Sequence, residues 1–242
     1  MHNAAETALE GTQSQPRYYG TKLALRELIA TLEPSTSLPP ERILAEQLGT
    51  SRTTLRKALA ELAAEGLLRR VQGSGTFVAP PKVVHLQQLT SLTDDLSTQG
   101  LQVSSRILTL TRVPADETAA ERLAIAPGTR VHRLRRLRSV GGEPLAIETA
   151  HLADRLPNLA RRLADKGSLY RTLRDCYGLE VAAVEDTVET ALTTPEEAAL
   201  LGVAVGSPIL LVHRRSCDPT GRPIEWTRSV YRGDRFRFVA RA

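Results

Sequence analysis

Two amphipathic helical patterns near the N-terminus are separated only by Gly49 and Thr50, and this short turn constrains the chain more than any other stretch. Upstream, Pro40 suits the first turn of a helix whose apolar face is Ile43, Leu44 and Leu48, with Gly49 as its stop. Downstream, Leu55, Ala58, Leu59 and Leu62 recur at helical spacing between about Ser51 and Glu65, and Gly66 ends the run. Helices joined this closely are the sequence form of a helix-turn-helix. A helix over roughly Tyr18 to Leu32, marked by Leu25, Leu28, Ile29 and Leu32, precedes them. After Gly66, the β-type runs LLRRVQ and TFVA flank Gly73-Ser74-Gly75 and predict a hairpin. Three helices and a two-stranded hairpin make a winged helix-turn-helix.

The remainder has another texture. Strands are expected over Val131 to Val140, Pro144 to Ala150, Ile209 to Arg215 and Ile224 to Val230, with helices near Asp116 to Leu123, Ser168 to Tyr177 and Pro195 to Leu201. The stretch from Glu121, ERLAIAPGTRVHRLRR, parallels ALLGVAVGSPILLVHRR, whose Gly206 follows Gly128 by 78 residues. Each copy leads a short helix through a glycine turn into a long strand, a polar hairpin and a second strand. Two such half-domains form a cleft where equivalent strands meet, the natural place for a ligand. The expected organisation is therefore a disordered arm over residues 1–16, a winged helix-turn-helix over 17–79, a Pro-stiffened linker over 80–86 and an α+β domain over 87–242.

Bulk composition narrows the function. A chain of 242 residues with 41% hydrophobic and 24% charged content is ordinary globular material for two domains. No run approaches a membrane span and the N-terminus lacks a signal-peptide pattern, so a cytoplasmic protein with no membrane partner is expected. Cys176 and Cys217 are far apart and outside any CxxC pair, and the five histidines show no metal spacing, so no disulfide framework, metal or cofactor is expected. A net charge of +5 favours an anionic partner, with basic clusters at Arg52 to Arg70, Arg130 to Arg138 and Arg228 to Arg237.

The gapless stretch from Leu38 to Val78, with PPER, SRTTLR, EGL and QGSGTFV in order, resembles the DNA-binding domain of GntR-family transcriptional regulators. The segments LTSLTDDL, RLRSVGGEPLAIET, GSLY, GRPIEW and SVYRGDRFRF resemble the UTRA ligand-binding domain of the HutC branch of that family. Within the branch the chain most resembles the DasR/NagR-type aminosugar regulators. The resemblance implies an α+β protein in which the winged helix-turn-helix is followed by a chorismate lyase-like α/β domain with an antiparallel sheet. It also implies a homodimer on a palindromic double-stranded DNA operator, acting as a repressor of aminosugar uptake and catabolism. The effector it implies is glucosamine 6-phosphate or N-acetylglucosamine 6-phosphate.

A helix docked end-on in the major groove offers only its first turns to base edges, so polar residues belong at its start. Arg52 and Arg56, four apart, can point outward together, and a guanidinium reads guanine O6 and N7 with two hydrogen bonds. Ser51, Thr53 and Thr54 can bond phosphate oxygens or cap the helix. The resemblance adds Arg42, and at the wing Gln72, Gly73 and Ser74, the last standing where many members carry a basic residue. Taken alone, two arginines at a helix start also describe an ordinary solvated end.

In the second domain Arg136 and Arg138 share one face of a strand, and if that face is inside they need an anion from the protein or from a ligand. The resemblance places Ser91, Leu92 and Thr93 with Arg136, Ser168 and Tyr170 around the phosphate, and Arg138, Glu148, Glu225 and Tyr231 around the sugar. Other readings stay open: Glu148 and Glu225 pairing internally with the arginines, Ser168 serving as an N-cap, Tyr231 belonging to the core. Arg133 and Arg135 are expected on the outer face. A different small anion, another sugar phosphate or an organic acid, is the alternative effector. An enzyme is disfavoured by the lack of a Ser/His/Asp set, metal ligands or a paired-carboxylate site.

Overall fold

The computed structural model describes residues 17–71, 73–86 and 91–239, so the expected arm over 1–16 and Gln72 lie outside the described residues. The chain divides into two compact units, one ending at Pro80 and the other beginning at Pro81.

The first unit contains α1 (Arg17–Ala30), α2 (Glu41–Gln47), α3 (Arg52–Ala64), β1 (Leu68–Val71) and β2 (Gly75–Val78). Leu25 of α1, Leu44 of α2, and Leu55, Leu59 and Leu62 of α3 meet in one core with Leu38, Leu68 and Val78. Burying each such leucine contributes about 1.5–3 kcal/mol. Gly49 takes φ 58° between α2 and α3, a left-handed conformation that a side chain would strain and that lets the turn be so short. On the unit's surface Lys22 of α1 binds Glu61 at 2.8 Å and Glu65 at 2.6 Å, fastening α1 to α3. The hairpin pairs Leu68↔Val78 through Val71↔Gly75, and an isolated bridge from Ser37 to Phe77 adds the loop after α1 to its edge.

The second unit is built on six antiparallel strands. In chain order it runs β3 (Val83–Leu86), α4 (Leu92–Thr98), β4 (Val103–Pro114), α5 (Glu117–Leu123), β5 (Arg130–Val140), β6 (Glu143–Leu152), α6 (Leu159–Lys166) and α7 (Leu169–Tyr177). Then follow β7 (Ala183–Leu192), α8 (Pro195–Leu201), β8 (Pro208–Cys217), β9 (Pro223–Arg232) and β10 (Phe236–Val239). The sheet order β4-β5-β6-β9-β8-β7 reads the same from either edge once β4-α5-β5-β6 is matched to β7-α8-β8-β9. The internal repeat is thus realised as two half-domains whose last strands, β6 and β9, meet at a central seam. One face carries α4, α6 and α7, through Leu92, Leu96, Leu159, Leu163, Leu169 and Leu173. The other carries α5 and α8, through Ala119, Leu123 and Leu201.

Three features differ from the sequence expectation. Val83–Leu86, expected within the linker, form β3, which pairs in parallel with β10 from Phe236↔Val83 to Val239↔Leu86. Its partner lies some 150 residues away, and a parallel pairing of that kind leaves no local signal. The edge strands β4 and β7 were not expected as strands, because both are mostly exposed and carry polar residues on both faces, which blurs the period-two pattern. Helix α6 also was not expected. Among the described residues no helix is long and apolar enough to cross a membrane.

Candidate functional site

At the start of α3 in the first unit, Ser51 is the N-cap: its hydroxyl accepts from Thr54 N at 3.1 Å and lies 2.8 Å from Thr54 Oγ1. Capping, one of the two roles open to this serine, is therefore present. The structure brings Arg52, Thr53 and Arg56 to the exposed face of the helix start, while Leu55 beside them is fully buried. Arg56 Nε lies 3.7 Å from Glu41, and Arg42 pairs with Glu46 at 3.0 Å, both exposed contacts of small energetic worth that leave the guanidiniums free to exchange partners. Gly73 and Ser74 form the exposed tip of the hairpin.

In the second unit the sheet register assembles a pocket. Arg136 lies directly opposite Glu148, which lies opposite Ser229, and the neighbouring row holds Arg138, Ala146 and Tyr231. Residues opposed in an antiparallel pair share a face, so these side chains project together beneath α4 and α7. The lining is Ser91, Leu92, Thr93, Arg136, Arg138, Glu148, Leu169, Tyr170, Val212, Arg214, Glu225, Thr227, Ser229 and Tyr231, around about 50 Å³. Every expected effector residue is there except Ser168, which stands behind Ser91, wholly buried, their hydroxyls 3.1 Å apart.

The electrostatics are unusual for a core. Arg136 and Arg138, 4% and 2% exposed, share a single carboxylate oxygen: Glu148 Oε2 accepts from Arg136 Nη2 at 2.8 Å and from Arg138 Nη1 at 2.7 Å. Arg138 Nη2 also donates to Thr93 Oγ1 at 2.5 Å. Arg136 Nε and Nη1 and Arg138 Nε are buried with no acceptor. Burial pulls the Arg136 guanidinium below its ordinary value; burial also works against the Glu148 carboxylate, yet the two arginines outweigh it and hold Glu148 below the usual carboxylate range. Glu148 is the carboxylate bonded to both arginines and Glu225 stands in the same lining, yet three guanidinium nitrogens keep no acceptor, so the arrangement can accept further anionic oxygens.

Two helix starts converge on the same place. Ser91 caps α4, accepting from Asp94 N at 3.2 Å, and Ser168 caps α7, accepting from Arg171 N at 3.4 Å. Asp94 Oδ2 accepts from Ser91 Oγ at 2.7 Å and from Ser168 Oγ at 3.3 Å, and Oδ1 accepts from Arg171 Nη2 at 2.5 Å. Burial raises the Asp94 carboxyl, but the Ser91 hydroxyl and Arg171 more than offset it and leave it below its ordinary value.

At the opposite wall the Tyr170 hydroxyl lies 2.8 Å from Ser216 Oγ, which donates to Glu225 Oε2 at 2.9 Å. Burial pushes the Tyr170 and Tyr231 phenols up, so both remain protonated donors. Tyr231 is both lining and core, since it stacks on Phe236 with centroids 4.0 Å apart. Arg214, which the sequence reading did not single out, is held by Asp186 through two bonds of 2.7 Å. A signal for it existed: Arg214 follows Arg136 by the 78-residue period of the repeat. Thr227 and Ser229 were likewise legible as the same-face neighbours of Glu225 and Tyr231 on β9. Arg133 and Arg135 point to the outer face, where Arg135 pairs with Glu196 of α8 at 2.5 Å.

Comparison with known proteins agrees with this fold. Residues 98–237 match the UTRA domain, and residues 18–78 match the bacterial regulatory proteins of the gntR family. The chain is 36% identical over 227 residues to the HTH-type transcriptional repressor NagR of Bacillus subtilis, covering 93% of each. It is 33% identical over 243 residues to a histidine utilization repressor of Pseudomonas putida, covering 98% of this chain and 96% of the relative. The crystal structure of PhnF from Mycobacterium smegmatis superposes with a TM-score of 0.62 at 33% identity, covering 91% of this chain and 98% of that one. The chain therefore belongs to the GntR family, HutC type, with a UTRA domain behind its winged helix-turn-helix, and is a DNA-binding transcriptional regulator rather than an enzyme.

Proposed function

We propose that this regulator is a repressor of aminosugar uptake and catabolism, working in the cytoplasm as a homodimer on a palindromic operator and needing no cofactor. Its effector in this reading is glucosamine 6-phosphate or N-acetylglucosamine 6-phosphate. The observation that carries the effector class is the buried pair Arg136 and Arg138, with three guanidinium nitrogens lacking an acceptor, beside the hydroxyls of Ser91 and Thr93. A phosphate supplies several acceptor oxygens for those donors. Glu225, Glu148 and Tyr231 then face the sugar, and the resemblance of the motifs to aminosugar regulators supports that choice.

The test is a thermal-shift series with the two aminosugar phosphates beside their unphosphorylated sugars. At a ligand concentration of 100 Kd, mass action stabilises the folded state by about 2.7 kcal/mol, so only the phosphorylated compounds should raise the melting temperature. No rise with any phosphorylated sugar would remove this effector class.

A second reading is favoured by the spread of the relatives, among which stands a mannosyl-D-glycerate transport/metabolism system repressor of Escherichia coli at 30% identity. There the effector is a different small anion held by the same arginines, and a carboxylate sugar in the same series distinguishes it.

At the DNA end the proposed base readers are Arg52 and Arg56, with Arg42, Ser51, Thr53, Thr54 and the wing residues Gln72, Gly73 and Ser74 on the backbone. Arg52→Ala should cost about 1–3 kcal/mol in preference for the operator over a scrambled duplex. Fluorescence anisotropy with both duplexes measures it, and equal weakening on the two would mean that Arg52 touches only phosphate.

A further inference from the structure

We propose that Asp94 is a built-in competitor for the effector's anion, and that its carboxylate sets how tightly the pocket holds a phosphate. The inference rests on the reading of Ser91 and Ser168 as part of a phosphate cradle.

A serine hydroxyl has one proton to give. Ser91 gives its proton to Asp94 Oδ2 at 2.7 Å, and Ser168 Oγ faces that same oxygen at 3.3 Å and Ser91 Oγ at 3.1 Å. Both hydroxyl oxygens are also occupied as acceptors by the backbone N–H groups they cap. The cradle therefore has no serine proton for a ligand until Asp94 releases one. With Arg171 on its other oxygen, Asp94 is gripped by hydroxyls and a guanidinium, the same kinds of donor that hold a phosphate oxygen. The carboxylate takes the place at the serine hydroxyls that a phosphate oxygen would take, while Arg136 and Arg138 keep their unused donors.

Its position forces the encounter. The inner pocket of about 50 Å³ has room for only a few waters, at roughly 10–15 Å³ each. An outer cavity of about 310 Å³ shares Ser91 and Tyr170 with it and is walled by Asp94, Arg171 and Glu180. A sugar phosphate larger than the inner pocket spans both and passes beside the Asp94 carboxylate, where like charges repel. A phosphate facing Arg136 and Arg138 draws the hydroxyl protons away at the expense of Asp94, so part of its binding energy is spent on displacing the carboxylate.

If Asp94 merely steadied the start of α4, removing its charge would weaken binding; if it competes, the same change tightens binding. Isothermal titration of the full chain with N-acetylglucosamine 6-phosphate, and separately with inorganic phosphate, reads the sign for wild type, Asp94→Asn and Asp94→Ala. The ligand-induced rise in melting temperature, read alongside, scores a variant of lowered stability as well. Asp94→Asn should tighten both ligands roughly five- to tenfold, the equivalent of losing one charge-assisted competing bond, and Asp94→Ala should move in the same direction. Unchanged or weaker binding in the variants, with wild type still binding, overturns the competitor role and leaves the cradle intact. No binding of either ligand to any of the three proteins refutes the cradle itself, and the competitor with it.

Discussion

The two halves of the effector unit use the same parts and wire them differently. Arg136 on β5 and Arg214 on β8 occupy equivalent positions in the repeat, both on the face beneath α4 and α7. Arg214 turns to the outer strand β7 and grips Asp186 with Nε and Nη2. Arg136 turns to the seam strand β6 and shares Glu148 with Arg138, so two of its nitrogens find no acceptor. A fork-to-fork pair is electrostatically closed, while a shared carboxylate is open to a further anion. The difference teaches that the repeat supplies the scaffold and the counter-ion decides which arginine keeps donors without an acceptor.

The largest expected effect tests that division. Glu148→Gln leaves two buried guanidiniums without a carboxylate and should cost about 3–5 kcal/mol in urea unfolding; Asp186→Asn opens the other pair at similar cost. Saturating inorganic phosphate should then stabilise Glu148→Gln by more than it stabilises wild type, and Asp186→Asn by only the wild-type amount. Equal rescue of both would erase the distinction between the halves. Acid sharpens the same point. The folded carboxyl of Glu148 titrates below its ordinary 4.5, so its stabilisation is complete above 4.5 and is lost as pH falls through the folded value. Melting temperatures recorded from neutral to about pH 3 should show wild type and Glu148→Gln converging on the acid side.

The smallest effect concerns the ends of α5 and α8, again 78 residues apart. Both close in the left-handed conformation, Ala124 at φ 52° and Gly202 at φ 66°. Ala124 is exposed and pays a steric penalty that glycine avoids. Ala124→Gly should therefore stabilise by about 0.5–1 kcal/mol, and Gly202→Ala should destabilise by about 1 kcal/mol, both read as shifts in melting temperature.

Much of this was legible in the sequence where one side of an element is buried. The stripe of Leu55, Ala58, Leu59 and Leu62 gave away α3, and Gly128 with Gly206 gave away the repeat, because burial imposes a period and a turn imposes a glycine. The strands β4 and β7 escaped for the opposite reason: at the sheet's edges neither face is well covered. Arg136 and Arg138 could be placed on one face from spacing, while Glu148 came only from the resemblance, because which carboxylate each arginine meets depends on register across hairpins, and a one-residue slip would reverse every side chain. Asp94 had no signal of its own, since its significance lies in two serines, one of them 74 residues away, that arrive at the same oxygen.

The parallel pairing of β3 with β10 joins the first described strand of the effector unit to its last, running in the same direction. Tension entering through Pro81 and leaving at the far end of β10 would load their hydrogen bonds together in shear, rather than peeling them one after another. The chain is thus fastened mechanically at the point where a pull on the linker would arrive.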